Sequence, residues 1–304
     1  MPEYPDLTVY VEHIERRVKG DRLNGIRLTS PFLLRSVTPG VDEIAGREVI
    51  AVRRLAKQLV LALAGSYFVV IHLMIAGRLR WHDAKPNAPP QAVPKRNGLA
   101  AFDFETGSLI LTEASKKKRA SLKLVHGTQA LAALDPGGLE VFQIDFDAFY
   151  ARLRETPHTV KRALTDQRVF AGIGNAYSDE ILFRARMSPF KQGRHMSEDE
   201  ARGLFGACRD VLSEWTARLR AEAEGRFPGQ GGSKVTAFHP EMAVHGKYRE
   251  PCTVCGAPVQ RIVRPENETN YCAKCQTGGR LLADRSLSRL LKDTYPRRIE
   301  ELEG

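Results

Sequence analysis

The alternation of apolar and polar residues divides the chain into a first part rich in short strands and a second part rich in helices. Apolar residues recur at helical spacing from Asp6 to about Val18, which predicts a helix close to the start of the chain. Between residues 22 and 126 the pattern changes to short strands separated by turns, which favours a β-sandwich or barrel. The predicted strands are Leu23–Leu28, Arg47–Leu55, Leu59–Leu63, Phe68–Leu73, Leu99–Phe104, Ser108–Thr112 and Ser121–Val125.

Turn-forming segments divide the remainder of the chain. Residues 133–145 contain Asp-Pro-Gly-Gly and are interpreted as a linker, and the pattern from Phe146 to about Glu224 is helical. We therefore expect a multidomain α+β protein. Its expected parts are an N-terminal helix plus β-sandwich at 1–132, a helical domain at 146–248, a cysteine module at 249–276 and a C-terminal extension at 277–304.

The C-terminal extension combines regularly spaced leucines with mixed charge. It contains six basic and five acidic residues, which argues against a simple DNA-binding arm. We expect it to form an amphipathic helix that packs on the protein. The leucines on which this expectation rests are Leu281, Leu282, Leu287, Leu290 and Leu291.

One uncharged segment, from Val60 to Gly77, has the length of a short membrane span. It contains 18 residues, the lower limit for a transmembrane helix. Gly65-Ser66 interrupts it and His72 lies inside it, so two strands joined by a tight turn are the better interpretation. The first ten residues lack the basic and apolar segments of a signal peptide. We expect a cytoplasmic, nucleoid-associated protein with no membrane partner.

The charge of the chain favours an anionic partner. The sequence has 46 Lys and Arg against 36 Asp and Glu, a formal net charge of +10. A basic surface concentrates polyanions, of which nucleic acid is the commonest. Many basic proteins bind no nucleic acid, so the charge alone leaves the partner open.

Four of the five cysteines form two CxxC pairs with the spacing C-x2-C-x16-C-x2-C. This spacing is typical of a four-thiolate structural zinc site, in which the protein fills every coordination position and leaves none for a catalytic water. We expect one structural Zn²⁺ bound by Cys252, Cys255, Cys272 and Cys275. Cys208 lies in a helical pattern and is expected to be a buried apolar residue.

A glycine-rich segment separates two helical patterns between Asp166 and Glu180, and the second helix is expected to start near Asn175. Asn is a favoured N-cap residue. Backbone N–H groups ahead of a helix form an anion site that suits a DNA phosphate. As an isolated pattern, the segment is equally typical of a simple connection between helices.

Three motifs together resemble the formamidopyrimidine-DNA glycosylase/endonuclease VIII family. The residues DQxxxAGIGNxYxDEILFxA from Asp166 are similar to its helix–two-turn–helix signature, and Met242–Lys247 resembles the approach to its zinc finger. The start, Pro2-Glu3-Tyr4-Pro5-Asp6, resembles its catalytic N-terminus. The resemblance covers roughly residues 2–276. It implies a DNA glycosylase with abasic-site lyase activity, and we expect a monomer that acts on double-stranded DNA with damaged bases or abasic sites.

The resemblance also implies roles for single residues. Removal of Met1 exposes the secondary amine of Pro2, which attacks C1′ of a flipped nucleotide. Glu3 matches the general acid and base, and Lys57, on an early strand, matches a proton donor. The residues implied to contact DNA are Lys161 and Asn175 at the phosphates beside the lesion, Lys118 and Arg119 in a basic loop, Met74 and Ile75 in the segment that fills the gap left by the flipped base, and Asn267 in the zinc finger.

The chain departs from the family pattern at three places. Asn267 stands where the zinc finger usually has an arginine, and the usual His-Leu-Gly-Met segment begins at His72 and ends in Met74-Ile75. The usual Arg-Arg-Phe-Gly loop is Lys118-Arg119-Ala120-Ser121, so Ala120 takes the place of the aromatic wedge. These departures leave three properties undetermined: which damaged base is excised, which opposite base is preferred, and whether strand cleavage stops at β-elimination or continues to β,δ-elimination.

Two other functions are compatible with single features. Pro2 and Glu3 also suit a frayed end or a helix start, and Lys57 suits a solvated strand residue. The alternative function is therefore a non-catalytic or narrowly specialised DNA-binding protein that keeps the family frame. Because a pure binder needs none of these three residues, their combination favours the enzyme. A zinc-ribbon interaction protein without a DNA role is disfavoured by the charge and by the glycine-rich turn.

Overall fold

The computed structural model describes residues 1–230, 235, 238–265, 267–282 and 297–302. The chain forms two compact units. The first contains Met1–Pro136 and Trp215–Thr236, and the second contains Gly137–Glu214 and Ala237–Gly304.

The first unit begins with a helix, α1 (Tyr4–Val18), as predicted. It starts two residues earlier than the apolar pattern indicated, because Glu3 is its N-cap and Pro5 fits the first turn, where no backbone donor is needed. Its apolar face is buried in the core of the unit. Two shorter helices, α2 (Val41–Ile44) and α3 (Thr128–Ala132), belong to the same unit.

The strands of the first unit form one antiparallel sheet of eight. They are β1 (Arg22–Leu28), β2 (Arg47–Leu55), β3 (Gln58–Leu63), β4 (Tyr67–His72), β5 (Gly77–Asp83), β6 (Gly98–Phe104), β7 (Gly107–Glu113) and β8 (Ser121–His126). Their order in the sheet is β5-β7-β6-β1-β2-β3-β4-β8. The β1–β2 pairing is short, with Arg22 opposite Glu48 and Leu23 opposite Arg47, so it joins two four-stranded halves.

Side chains from both halves of the sheet enter a single core. Leu79, Phe102 and Leu111 come from one half, and Leu61 and Ile71 come from the other. Such a shared core between two sets of alternating strands is the packing of a β-sandwich, which confirms the predicted class.

One strand, β5, was missing from the sequence prediction. It alternates buried Leu79 and Trp81 with Arg78 and Arg80. Because its apolar face is so short, the charged residues made the strand pattern too weak to recognise in the sequence. By contrast, β3 and β4 confirm that the uncharged segment from Val60 is two strands and a turn. Among the described residues, no helix has the length and apolar character needed to cross a membrane.

The second unit is mainly helical. Its elements are α4 (Phe146–Glu155), α5 (Val160–Thr165), α6 (Asn175–Arg184), α7 (Glu198–Ala223), the strands β9 (Gln260–Val263) and β10 (Glu268–Tyr271), and α8 (Ala273–Thr277). The residues of α7 from Trp215 onward count with the first unit. Cys208 is fully buried within α7, as expected.

The described part of the C-terminal extension packs on the β9–β10 hairpin. Leu281, Leu282 and Ile299 are buried in one cluster with Ile262 and Tyr271. The backbone N–H of Leu281 donates to the Arg297 carbonyl at 2.8 Å, and that of Ile299 donates to Gly279 at 2.9 Å. The leucines expected to continue an amphipathic helix, Leu287, Leu290 and Leu291, lie outside the described residues.

Candidate active site

The N-terminus is folded into the first unit. Pro2 is buried and Glu3 is only 3% exposed. The backbone N–H of Glu3 donates to the Asp6 carboxylate at 2.9 Å, which fixes the chain direction where α1 begins. The first residues are therefore an ordered part of the structure and not a frayed end.

Charged groups surround the terminal amine. Burial lowers the pKa of the Met1 amine, while the Glu3 and Asp6 carboxylates raise it and the Arg78 and Lys57 cations lower it. Burial also raises the pKa of Asp6 to about 7, and the nearby Glu3 charge acts in the same direction. The surroundings of the amine thus contain two carboxylates and two cations, a set suited to moving protons.

Lys57 lies in the turn between β2 and β3, in the gap between two predicted strands, and not on an early strand as the family resemblance implied. Ala56 adopts a positive φ of 50°, which ends β2 before Lys57. Lys57 is 7% exposed. The Arg54 guanidinium lies 4.5 Å from the centre of the Tyr4 ring, which ties this hairpin to α1.

Two loops lie side by side next to Lys57. The turn 73–76 leads from His72 at the end of β4 to Gly77 at the start of β5. The loop 114–120 leads from Glu113 at the end of β7 to Ser121 at the start of β8. His72 on β4 pairs with Ser121 on β8, and Gly77 on β5 pairs with Glu113 on β7. Both loops therefore start and end at neighbouring strands and run next to each other.

The turn 73–76 carries the predicted Met74 and Ile75. Ile75 is 57% exposed, and the backbone of Met74 has a φ of 50°. The Met74 N–H donates to Nδ1 of His72 at 3.0 Å. Burial lowers the pKa of His72 to about 4, with Lys57 and Lys123 adding to the shift, so the imidazole is neutral at pH 7 and accepts this bond.

The loop 114–120 carries the predicted Lys118 and Arg119, both exposed. Ala120 is 3% exposed and belongs to the hydrophobic core of the unit. Ala120 therefore lies in the core and not at an exposed wedge position, in keeping with the expectation that the aromatic wedge is missing from this loop. The exposed apolar side chain at this edge is Ile75 on the neighbouring turn.

Arg78 and Asp6 are two further residues near the terminal amine, and sequence patterns indicated no role there for either of them. Arg78 lies on the unpredicted β5, and its guanidinium donates to the carbonyls of Ile75, Gly77 and Val235 at 3.0, 2.7 and 2.8 Å. It therefore fixes the turn and adds positive charge near the amine. The role of Asp6 at the helix start could have been predicted, because an acidic residue three positions after the N-cap is typical of a capping box.

In the second unit, the glycine-rich turn leads into α6, whose N-cap is Gly174. The expectation that Asn175 starts the helix as its cap is corrected, because Gly174 has the extended conformation and Asn175 is the first helical residue. The Asn175 side-chain amide donates to the Glu268 carbonyl of β10 at 2.8 Å. Asn175 therefore links α6 to the hairpin of the cysteine module.

Lys161 is 8% exposed, and its ammonium donates to three groups of α6. They are the Asn175 carbonyl and the Ser178 hydroxyl, both at 2.8 Å, and the Asp179 carboxylate at 2.5 Å. Asp179 also contacts Nδ1 of His245 at 2.7 Å. Lys161 thus lies next to the start of α6 as part of a buried charge network, which sequence patterns did not indicate.

The cysteine module brings its four sulfurs together. The Sγ atoms of Cys252, Cys255, Cys272 and Cys275 all lie within 4.8 Å of one another. Two of the separations are 3.4 and 3.9 Å, close to the edge of about 3.8 Å expected for a tetrahedron with zinc–sulfur bonds of about 2.3 Å. The cluster fits one structural zinc ion. Asn267 is exposed between β9 and β10 of this module.

Three family models match the chain. The N-terminal domain of formamidopyrimidine-DNA glycosylase matches residues 1–120, its H2TH domain matches 134–221, and a zinc finger found in FPG and IleRS matches 249–278.

Curated proteins and solved structures agree with these matches. The formamidopyrimidine-DNA glycosylase of Thermus thermophilus is 31% identical over 282 residues, which cover 92% of this chain and 100% of that protein. The Chloroflexus aurantiacus protein of the same name is 32% identical over 285 residues, covering 91% of this chain and 98% of that one. A crystal structure of Lactococcus lactis Fpg with DNA containing an abasic site has a TM-score of 0.76 at 25% identity, covering 90% and 99% of the two chains. The chain belongs to the formamidopyrimidine-DNA glycosylase family.

Proposed function

We propose that this chain removes a damaged base from double-stranded DNA and cleaves the strand at the resulting abasic site, with the amine of Pro2 as the nucleophile. Membership of the family makes it a DNA glycosylase. The observation that carries the proposed chemistry is the surroundings of the chain terminus, where Glu3, Asp6, Lys57 and Arg78 all act on the charge of the partly buried Met1 amine, next to the buried Pro2.

Removal of Met1 makes the secondary amine of Pro2 the chain terminus. A free α-amine has a pKa of about 7.7–8.0. Burial lowers the pKa of the Met1 amine, and Pro2, the next residue, is itself buried, so the same surroundings favour the neutral, nucleophilic form of a Pro2 amine. The neutral amine attacks C1′ of a nucleotide flipped out of the helix, and the bond from C1′ to the base breaks as the base takes up a proton. Opening of the sugar gives an iminium without an N–H, so it stays an electron sink while the 3′ phosphate leaves by β-elimination.

Glu3 and Lys57 supply the proton transfers in this proposal. Glu3 is buried at the helix start beside the amine and serves as general acid and base. Lys57 is a cation close enough to the Met1 amine to lower its pKa, and in this proposal it serves as proton donor. Asp6, with its pKa raised to about 7, is poised to hold a proton near neutral pH.

The proposed DNA contacts lie in both units. In the first, Lys118 and Arg119 bind phosphates, and Met74 and Ile75 occupy the space left by the flipped base. In the second, Lys161 and Asn175 hold the phosphates beside the lesion at the start of α6. Direct contact of Lys161 with a phosphate requires one of its three protein acceptors to give way, whereas Asn175 keeps a second amide hydrogen and an oxygen.

The zinc finger contributes Asn267 to the proposed DNA surface. An amide lacks the charge and the two-pronged geometry of the arginine usual at this position. Arg261 is engaged with the Tyr248 ring and with Glu268, so Arg264, exposed at the hairpin, is the better substitute for the missing arginine. Asn267→Arg should therefore speed strand cleavage, and equal cleavage rates and product ends for this variant and wild type would remove Asn267 from the proposal.

We propose that the functional parts are the catalytic segment 1–132, a linker at 133–145, the helix–two-turn–helix segment 146–248, the zinc finger 249–276 and the extension 277–304. We also propose that the chain acts as a monomer on damaged or abasic DNA in the cytoplasm, at the nucleoid and away from membranes. Fpg structures with abasic DNA support the choice of DNA.

Borohydride trapping tests the nucleophile. Reduction during the reaction should link the enzyme covalently to an abasic duplex, and peptide mapping should place the adduct on Pro2. A chain with an uncleaved N-terminal tag should give no adduct, since the amine is then an amide. Mapping of the adduct to Lys57, or cleavage by the blocked chain, would assign the chemistry to another residue. A wild-type chain that binds abasic DNA without any adduct or cleavage would favour the non-catalytic alternative.

A further inference from the structure

One buried carboxylate lies under the basic loop 114–120. Glu113 ends β7 and is 1% exposed, and the loop that follows it exposes four cations in succession, Lys116–Arg119. An acid next to a DNA-binding cluster should weaken binding if it acts by charge alone. Its contacts therefore decide what it does.

The Glu113 side chain binds the loop from several directions. Its carboxylate accepts the backbone N–H of Arg119 at 2.9 and 3.1 Å and that of Ala120 at 3.0 Å. It also accepts the Ser115 hydroxyl at 2.8 Å. The Lys118 ammonium donates to the backbone carbonyl of the same glutamate. Both ends of the loop are thus held by a single residue.

The partners of Glu113 also fix where the loop points. Glu113 pairs with Gly77, the first residue after the turn that carries Ile75. The single Ser115 hydroxyl hydrogen is shared between the Glu113 carboxylate and the Lys117 carbonyl, which lies 2.6 Å from the hydroxyl oxygen. The buried Ala120 anchors the far end of the loop in the core. The exposed cations are therefore held on a short, fixed arc beside the turn 73–76.

We propose that Glu113 is a positioning residue that holds the basic loop Lys116–Arg119 in the conformation that binds the DNA backbone. This inference rests on the proposed function only for the identity of the polyanion. The loop is ordered by hydrogen bonds to the carboxylate before DNA arrives, so less ordering is needed on binding.

Glu113→Gln tests the proposal because loss of loop positioning and loss of negative charge change the DNA affinity in opposite directions. Removal of one negative charge raises DNA affinity if charge dominates. If positioning dominates, loss of acceptor capacity releases the loop and affinity for an undamaged duplex falls by roughly tenfold. Ser115→Ala, which changes no charge, should shift affinity in the same direction by a smaller factor. Glu105→Gln, at an exposed site outside the loop, measures the effect of charge removal alone.

Hydrogen exchange without DNA separates this inference from the proposed function. In Glu113→Gln, the amides of Arg119 and Ala120 should exchange at least about tenfold faster, while those of β3 and β4 keep their rates. If exchange accelerates and affinity does not fall, the loop does not serve DNA binding. Unchanged exchange at Arg119 and Ala120 in a folded Glu113→Gln protein, or tighter DNA binding by that variant, overturns the positioning role. If Glu113→Gln fails to fold, Ser115→Ala decides by the same two measurements.

Discussion

Burial of His72 decides which protonation state the folded chain accommodates. Its pKa is lowered to about 4 from an ordinary value near 6.5, and its neutral ring accepts the Met74 N–H. Between these two pH values the unfolded chain binds the proton and the folded chain does not. The contribution of His72 to stability is therefore present above pH 6.5 and is lost as the pH falls toward 4.

Comparison with His72→Asn measures this contribution. Asparagine offers an oxygen acceptor for the Met74 N–H but does not titrate in this range. Relative to the variant, wild type should lose up to about 3 kcal/mol of unfolding free energy between pH 6.5 and pH 4. Chemical denaturation at several pH values gives this difference. A difference that stays constant with pH would mean that the imidazole is not buried in its neutral form.

At the residue scale, the sequence could assign roles only where a motif was present. Pro2, Glu3 and the four cysteines stand at recognisable positions, so a role could be stated for each. Arg78 and Glu113 gave no local signal, because their functions depend on which strands are neighbours. The pairing of Gly77 with Glu113 joins residues 36 positions apart and follows from the fold alone.

At the element scale, the turn between β4 and β5 depends on a glycine. A Cβ on Gly77 would lie 2.2 Å from the Leu73 carbonyl oxygen, a backbone atom with little freedom to move. Gly77→Ala should therefore lower the unfolding free energy by roughly 1–3 kcal/mol and should reduce base excision by displacing Ile75. Thermal unfolding and a cleavage assay measure the two effects.

Gly25→Ala is the matched control for this substitution. It adds the same methyl group in the same sheet, but no heavy atom lies within 4 Å of the new Cβ. It should leave stability and excision near wild type. Equal losses for both variants would mean that any methyl group in this sheet is harmful, and the close approach at Gly77 would lose its special role.

The elements themselves were predictable to the extent that their faces were apolar. Seven of the eight strands followed from local alternation, whereas β5 did not, because two arginines alternate with its buried residues. The predicted strands Arg47–Leu55 and Leu59–Leu63 left a gap at Lys57, but the tight turn itself was not predictable, because the positive φ of Ala56 has no sequence signature when the residue is neither glycine nor asparagine.

The attachment of the C-terminal segment to the zinc-finger hairpin gives a further prediction. Ile299 is fully buried against Ile262 and Tyr271. Ile299→Asp places a charge in that cluster and should release the segment, so that zinc is lost faster to a competing chelator. Val263→Asp, on the half-exposed neighbour of Ile262, is the control and should keep wild-type release. Identical release from all three proteins would show that the segment does not stabilise the finger.

At the scale of the whole molecule, the net charge is +10, and DNA affinity can depend either on this total charge or on the positions of individual cations. Cations that contact phosphates release counterions, so each contact adds to the slope of affinity against salt concentration. Cations elsewhere act only through the general field, which salt screens beyond about 10 Å. The two possibilities are distinguishable by neutralising single lysines at different places.

Lys117→Gln and Lys95→Gln make this comparison, since each lowers the net charge by one. Lys117 lies in the basic loop held by Glu113, whereas Lys95 lies in the exposed proline-rich segment between β5 and β6. Lys117→Gln should reduce the magnitude of the salt slope by about 1 and weaken binding to all sequences alike. Lys95→Gln should leave the slope unchanged. If both variants shift the salt slope equally, total charge governs DNA binding and the position of the basic loop has no particular role. If only Lys117→Gln shifts the slope, the position of the charge governs binding, because a general field effect would not distinguish two exposed lysines of equal charge.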